Sequence, residues 1–224
     1  MTNNATLSRC SQLDGSGEYG EIQIYLQQLR AILDLVDIAD VFRVIAALLT
    51  VHRAGGKVFT MGNGGSASTA SHFACDLAKG TRGSGGHFKV ISLTDNSALL
   101  TAWANDTAYD RIFVEQLENL VEPGDVVVGI SASGNSPNVL RAMEFARSQG
   151  ATTVGFTGFQ GGRLKALCDV CAVVPADRLD QIEDTHLALQ HLVCHVLRSS
   201  LAKGVLTNGE LAFSGSERAE AIIN

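Results

Sequence analysis

From Glu18 to about Ala54 the apolar residues recur at helical spacing: Ile22, Leu26, Leu29 and Leu33, then Val41, Val44, Ile45, Leu48 and Leu49. This predicts two helices with a break near Asp37 to Asp40. After Gly55-Gly56 the pattern changes to short apolar runs at 57–62, 88–93, 125–130, 151–156 and 170–174, which read as strands. Helical stretches at 66–79, 96–104, 107–120 and 137–149 separate them, with a short one at 162–167 and a long one over about 180–202. Strands that are apolar throughout and separated by helices predict an α/β fold, a doubly wound five-stranded parallel sheet covered on both faces. The N-terminal helical pair and the long C-terminal helix complete a single domain over 18–203. Residues 1–17 are polar without periodicity and predict a disordered segment, while 204–224 form a small, polar tail.

Two strand-to-helix junctions share one chemistry. Lys57-Val58-Phe59-Thr60-Met61 runs into Gly62-Asn63-Gly64-Gly65-Ser66, and Val126-Val127-Val128-Gly129-Ile130 runs into Ser131-Ala132-Ser133-Gly134-Asn135-Ser136. Each presents backbone N–H groups and small hydroxyls at the positive end of a helix, which suits a phosphate. Both follow strand carboxyl ends, where open α/β sheets gather ligands. The first loop lacks the lysine and G-K-[ST] ending of a P-loop, and it fails G-x-G-x-x-G, so a dinucleotide site is disfavoured. Ser133 or Ser136 can also serve as a simple cap for the helix opening at Pro137, but capping needs one hydroxyl and this loop carries three.

Composition narrows the class. With 46% hydrophobic and 18% charged residues, the chain of 224 can bury a large core as one domain with extra pieces. A formal charge of −6 with no Lys/Arg stripe argues against nucleic-acid binding. The first twenty residues carry no apolar stretch of a secretory signal, and no apolar run reaches the ~18 residues of a membrane span. Five scattered cysteines then fit a reduced, cytoplasmic protein. Cys168-Asp169-Val170-Cys171 matches C-x-x-C, yet no second pair of ligands stands at useful spacing. With Val170, Ala172, Val173 and Val174 around them, these read as packing cysteines.

His72 and Asp76 follow the first loop at i and i+4, so they share a helix face. His186 and His195 lie on a mostly apolar helix and read as structural, and His52 and His87 as surface residues. Asp180 is either the N-cap of the last helix or a ligand contact, and Asn105-Asp106 alone is a turn signal.

Several linked segments together resemble the SIS (sugar isomerase) domain family and, within it, the phosphoheptose isomerases. They are Gly62 to Ser66 with His72-Phe73-Ala74, Ala104-Asn105-Asp106, Gly129 to Ser136, Thr157-Gly158 with Gly161-Gly162, and Asp180 through His191. The resemblance covers roughly Glu18 to Leu201 and implies a flavodoxin-like sheet, a homotetramer with interfacial sites, and interconversion of sedoheptulose 7-phosphate with a heptose 7-phosphate. It implies substrate contacts from Asn63, Gly64, Gly65, Ser66, Asn105, Asp106, Ser131, Ala132, Ser133, Ser136 and Asp180. Asp76 and His191 become the acid–base pair, and His72, Asp76, Glu183 and His191 the ligands of one zinc ion. The chain departs from the family at two of these positions: Asp76 is one methylene shorter than the usual glutamate, and Glu183 carries a charge where an amide is usual. Two histidines with two carboxylates still make a zinc-type donor set. Glu183 and His191 are eight residues apart, about 12 Å along a straight helix, so meeting at one ion needs a loosened helix start or two chains.

Moving a carbonyl between neighbouring sugar carbons requires a group that takes a proton from one carbon and returns it to the next, and something electrophilic to stabilise the enediolate. The residues above supply both. The alternatives are an isomerase of another ketose phosphate, such as an eight-carbon one, and a non-catalytic sugar-phosphate sensor or scaffold.

Overall fold

The computed structural model describes residues 16–82 and 87–203. Helices α1 (Ser16–Asp34) and α2 (Ile38–Ala54) precede the sheet. The break between them is a capped junction: the Asp37 carboxylate accepts from the Ala39 N–H at 2.8 Å. Gly55, at φ 70°, ends α2 in the left-handed conformation that a glycine adopts without a Cβ clash. The expected segments 1–15 and 204–224 lie outside the described residues, and Ser16 and Gly17 already open α1.

The chain then alternates: β1 (Lys57–Gly62), α3 (Gly65–Cys75), a π-helical turn (Asp76–Gly80), β2 (Lys89–Ser92), α4 (Ser97–Asp106), a 3-10 turn (Tyr109–Arg111) and α5 (Val114–Glu118). It continues through β3 (Val126–Ser131), α6 (Pro137–Ser148), β4 (Thr152–Thr157), α7 (Gly162–Leu167), β5 (Val170–Val173) and α8 (Leu179–Lys203). All neighbouring strands are parallel, in the order β2-β1-β3-β4-β5. This is the doubly wound sheet expected from the hydrophobic pattern. All six β3 positions are buried, as a strand covered on both faces requires. One apolar layer joins Val128, Ile130 and Phe156 to Leu48 of α2, Phe73 of α3 and Val193 of α8. The other joins Phe59, Met61 and Val127 to Leu117 of α5, Met143 of α6 and Leu164 of α7.

Two helices differ from the periodicity. The stretch 66–79 is α-helical only to Cys75 and widens into the π turn at Asp76, a local feature frequent at functional sites. The stretch 107–120 is divided into a 3-10 turn and a short helix, because tertiary bonds draw it aside: Tyr109 reaches Asn63, and Asp110 accepts from Arg141 at 2.7 Å. Cys168 and Cys171 pack as expected, with both sulfurs over Gly155; a Cβ there would lie 2.8 Å and 3.1 Å from them. Burial and the Cys171 sulfur that accepts from it push the Cys168 thiol up. His186 is fully buried, its Nε2 3.1 Å from the Thr157 carbonyl oxygen, and burial pushes its pKa down to about 4.

Candidate active site

The winding reverses between β1 and β3, where Gly62, the last residue of β1, pairs with Ile130 near the end of β3. The two Gly/Ser loops leave side by side from that point. Gly64, at φ 54°, turns the chain into α3. At Gly62 a Cβ would fall 2.5 Å from the Ser66 carbonyl oxygen, so only glycine lets the helix start this close to its strand.

The second loop is a tight turn in which the Gly134 N–H donates to the Ser131 carbonyl at 2.9 Å. It is braced from below by α7: the Leu164 N–H donates to the Gly134 carbonyl and the Arg163 N–H to Asn135 Oδ1. Ser136 holds the N-cap position yet makes no capping bond; its hydroxyl stands 3.0 Å from that of Ser131. Asn63, Ser66, Ser131, Ala132, Ser133, Ser136, Leu179 and Glu183 line a cleft of about 220 Å³. Hydroxyls and two helix N-termini converge there, which is the chemistry of a phosphate cradle.

A second cluster forms where α3 passes into the π turn. His72 Nε2 lies 3.3 Å from His191 Nε2, and Asp76 Oδ2 lies 3.6 Å and 3.7 Å from those two nitrogens. Four ligands on a tetrahedral zinc with bonds of about 2.0–2.1 Å stand roughly 3.3 Å apart, so these three donors already have the spacing of such a shell with one position open. Both imidazoles are about half exposed. Gln190, fully buried beside them, directs its Nε2 at Asp76 Oδ2 from 3.5 Å.

Glu183 does not join this cluster. Its carboxylate covers the first turn of α3, where a Cβ on Gly65 would come within 2.6 Å of its Cδ. The reason is geometric: α3 and α8 lie side by side and run the same way, so early residues meet early ones (65 with 183) and late meet late (72 with 191). A carboxylate in that place also complements the positive helix end.

None of the remaining expected site residues lines the serine cleft. Gly64 lines a neighbouring cavity of about 180 Å³ with Thr94, Leu100, Ala104, Tyr109 and Phe113. Asn105 and Asp106, beside Ala104, are exposed at the end of α4 and bonded to each other at 2.8 Å. Asp180 is gripped through two bonds by the Arg178 guanidinium, which holds its carboxyl below the usual range. Sequence reasoning missed Asn138, Tyr109 and Gln190. Asn138 alone left a trace, a polar residue on the otherwise apolar core face of an amphipathic helix, which needs a buried partner.

Fold and cleft together are those of a domain that holds sugar phosphates, and residues 24–158 match the family model described as SIS domain. The phosphoheptose isomerase of Trichlorobacter lovleyi is 39% identical over 163 residues, 73% of this chain and 83% of that protein. That of Rhodospirillum rubrum is 42% identical over 164 residues, covering 73% and 86%. Among solved structures, the phosphoheptose isomerase of Neisseria gonorrhoeae superposes with a TM-score of 0.71 at 32% identity, over 82% of this chain and 96% of that one. The Francisella tularensis phosphoheptose isomerase gives 0.76 at 26% identity, over 81% and 98%. The chain belongs to the SIS-domain family, in its phosphoheptose isomerase branch.

Proposed function

We propose that this chain is an aldose–ketose isomerase that interconverts sedoheptulose 7-phosphate and a heptose 7-phosphate through an enediolate. The observation that carries the reading is the His72–Asp76–His191 cluster, built on the helix whose N-terminus lines the phosphate-type cleft. The names of the relatives, all phosphoheptose isomerases, support the same substrate. Ser131, Ser133, Ser136, Ser66 and Asn63 bind the phosphate with the backbone of Ala132, Gly64 and Gly65; Asn105, Asp106 and Asp180 contact the sugar. His72, Asp76 and His191 would hold a divalent cation of the zinc type, with Glu183 joining through a loosened start of α8 or from a second subunit. Such a cation supplies polarisation of the substrate carbonyl. The Asp76 carboxylate takes the proton from C1 and returns it to C2, and His191 is the second acid–base group at the oxygens when its Nε2 is not a ligand.

The proposal includes a homotetramer in the cytoplasm. Tyr19, Ile22, Leu35 and Ile38 are apolar and well exposed along the N-terminal helices, and the two half-exposed histidines leave room for a neighbouring subunit. No helix among the described residues is long and apolar enough to cross a membrane.

Proton exchange at C1 and C2 of sedoheptulose 7-phosphate in deuterated buffer is the test. Incorporation that falls on chelation and vanishes in His191→Ala supports the mechanism. Full activity with alanine at both Asp76 and His191 refutes it, and tight binding without exchange means a sensor. Turnover of ketose phosphates of different lengths, side by side, assigns the chain length.

A further inference from the structure

The two ligand loops are joined by a pair of amides, Asn138 buried and Asn63 half-buried. Asn63 Nδ2 donates to Asn138 Oδ1 at 2.9 Å, and Asn138 Nδ2 donates back to Asn63 Oδ1 at 2.9 Å. Asn138 is 1% exposed, so its partners are not exchanged for water. One further bond fixes which end of each amide is which. The Val139 N–H, which can only donate, reaches Asn138 Oδ1 at 2.9 Å. Asn138 must then turn its Nδ2 to Asn63, and Asn63 must answer with Oδ1. The Tyr109 hydroxyl donates to that same Oδ1 at 3.0 Å.

The donor and acceptor inventory of an amide makes the consequence definite. Both lone pairs of Asn63 Oδ1 are occupied and one of its two N–H bonds is used, which leaves a single N–H. Asn63 lines both the serine cleft and the neighbouring cavity beside Tyr109, and among the described residues nothing else accepts that hydrogen. Without the lock the amide could turn its oxygen toward the ligand, where it would repel a phosphoryl oxygen, which can only accept.

We propose that Asn138, with Tyr109, is a positioning residue that fixes Asn63 as a pure donor to an oxygen of the bound sugar phosphate and ties the two loops into one body. This rests on the reading of the cleft as the phosphate site. The chain of orientation starts at a backbone N–H of α6, so the polarity of a ligand contact on β1 is set by a helix after β3.

Titration with inorganic phosphate of protein labelled with 15N in its side-chain amides tests this. In the wild type the Asn63 amide gives one slowly exchanging hydrogen, bonded to Asn138, and one that shifts on phosphate addition. Asn138→Leu keeps the volume and removes the lock without adding charge; phosphate affinity falls about tenfold, the value of one donor to a charged group. The sugar-phosphate KM rises by a similar factor while kcat changes by less than about twofold. Tyr109→Phe, at an exposed position that tolerates the change, weakens phosphate about threefold. In an Asn63→Ala background Asn138→Leu has no further effect, since it acts through Asn63. Equal phosphate affinity of the wild type, Asn138→Leu and Tyr109→Phe overturns the inference and leaves the phosphate cleft standing. A full additional loss in the Asn63→Ala background also overturns it, because Asn138 then acts by another route. A wild type that binds no phosphate refutes the cleft itself, and the inference with it.

Discussion

Acid should weaken this fold through one residue, His186. Its ring sits against Phe156 and is sealed between β4 and α8, with Nε2 on the Thr157 carbonyl oxygen. That oxygen can only accept, so Nε2 carries the proton and Nδ1 is left as a buried acceptor without a partner among the described residues. Burial therefore holds the folded ring neutral down to about pH 4, whereas the unfolded chain titrates near the ordinary value of about 6.5. Between those values the unfolded state binds one more proton than the folded state, so stability falls as the pH drops. The effect is absent above about pH 6.5 and complete below about pH 4. A separation of roughly 2.5 pH units corresponds to about 3 kcal/mol, or about 6–12 °C in Tm for a domain of this size. Chemical denaturation of the wild type and His186→Gln at matched protein concentration, from about pH 7 to pH 4.5, measures it. Glutamine retains a donor for Thr157 and cannot charge, so the wild type should lose stability more steeply, by about one proton. Parallel loss in the two proteins would refute the assignment of the acid sensitivity to His186.

Two substitutions probe the frame around the cleft. Gly134 has φ 64°, and a Cβ there would lie 2.7 Å from the Gly161 carbonyl carbon, a backbone atom that cannot rotate away. Gly134→Ala should open the serine loop and lower phosphate affinity at least about tenfold by calorimetric titration; unchanged binding would show the loop is not the cradle. Asp125, 2% exposed, accepts from the Lys57 N–H at 2.8 Å and the Glu122 N–H at 2.9 Å, locking the starts of β1 and β3 together. Asp125→Ala strands both donors and should cost about 2–4 kcal/mol, seen as a Tm lower by about 4–16 °C; a shift under about 2 °C would contradict the bonding.

Much of this protein is written in short-range patterns. The strands are apolar runs, and α2 and α8 have helical periodicity, because burial on two faces or on one stripe dictates the spacing of apolar residues directly. The two loops were equally legible, since Gly and Ser beside a strand end are a local chemical requirement of a close helix start. His72 and Asp76 could be placed on one face by counting residues. Segment 107–120 could not be read this way, because Asn63 and Arg141, remote in sequence, break its helix.

The sequence by itself determined the α/β class, the two Gly/Ser loops at the strand ends and the residue types around them. Only the tertiary structure decided which of those residues meet. Parallel packing of α3 and α8 brings His191 to His72 and Asp76 but carries Glu183 to the start of α3, because a rigid helix keeps residues eight apart about 12 Å apart. The same holds for Asn138 and Asn63, 75 positions apart, whose mutual orientation follows from a backbone N–H on a third element. Periodicity and loop chemistry are properties of neighbouring residues, whereas a ligand shell or an amide lock is a coincidence of distant ones, and only packing creates it.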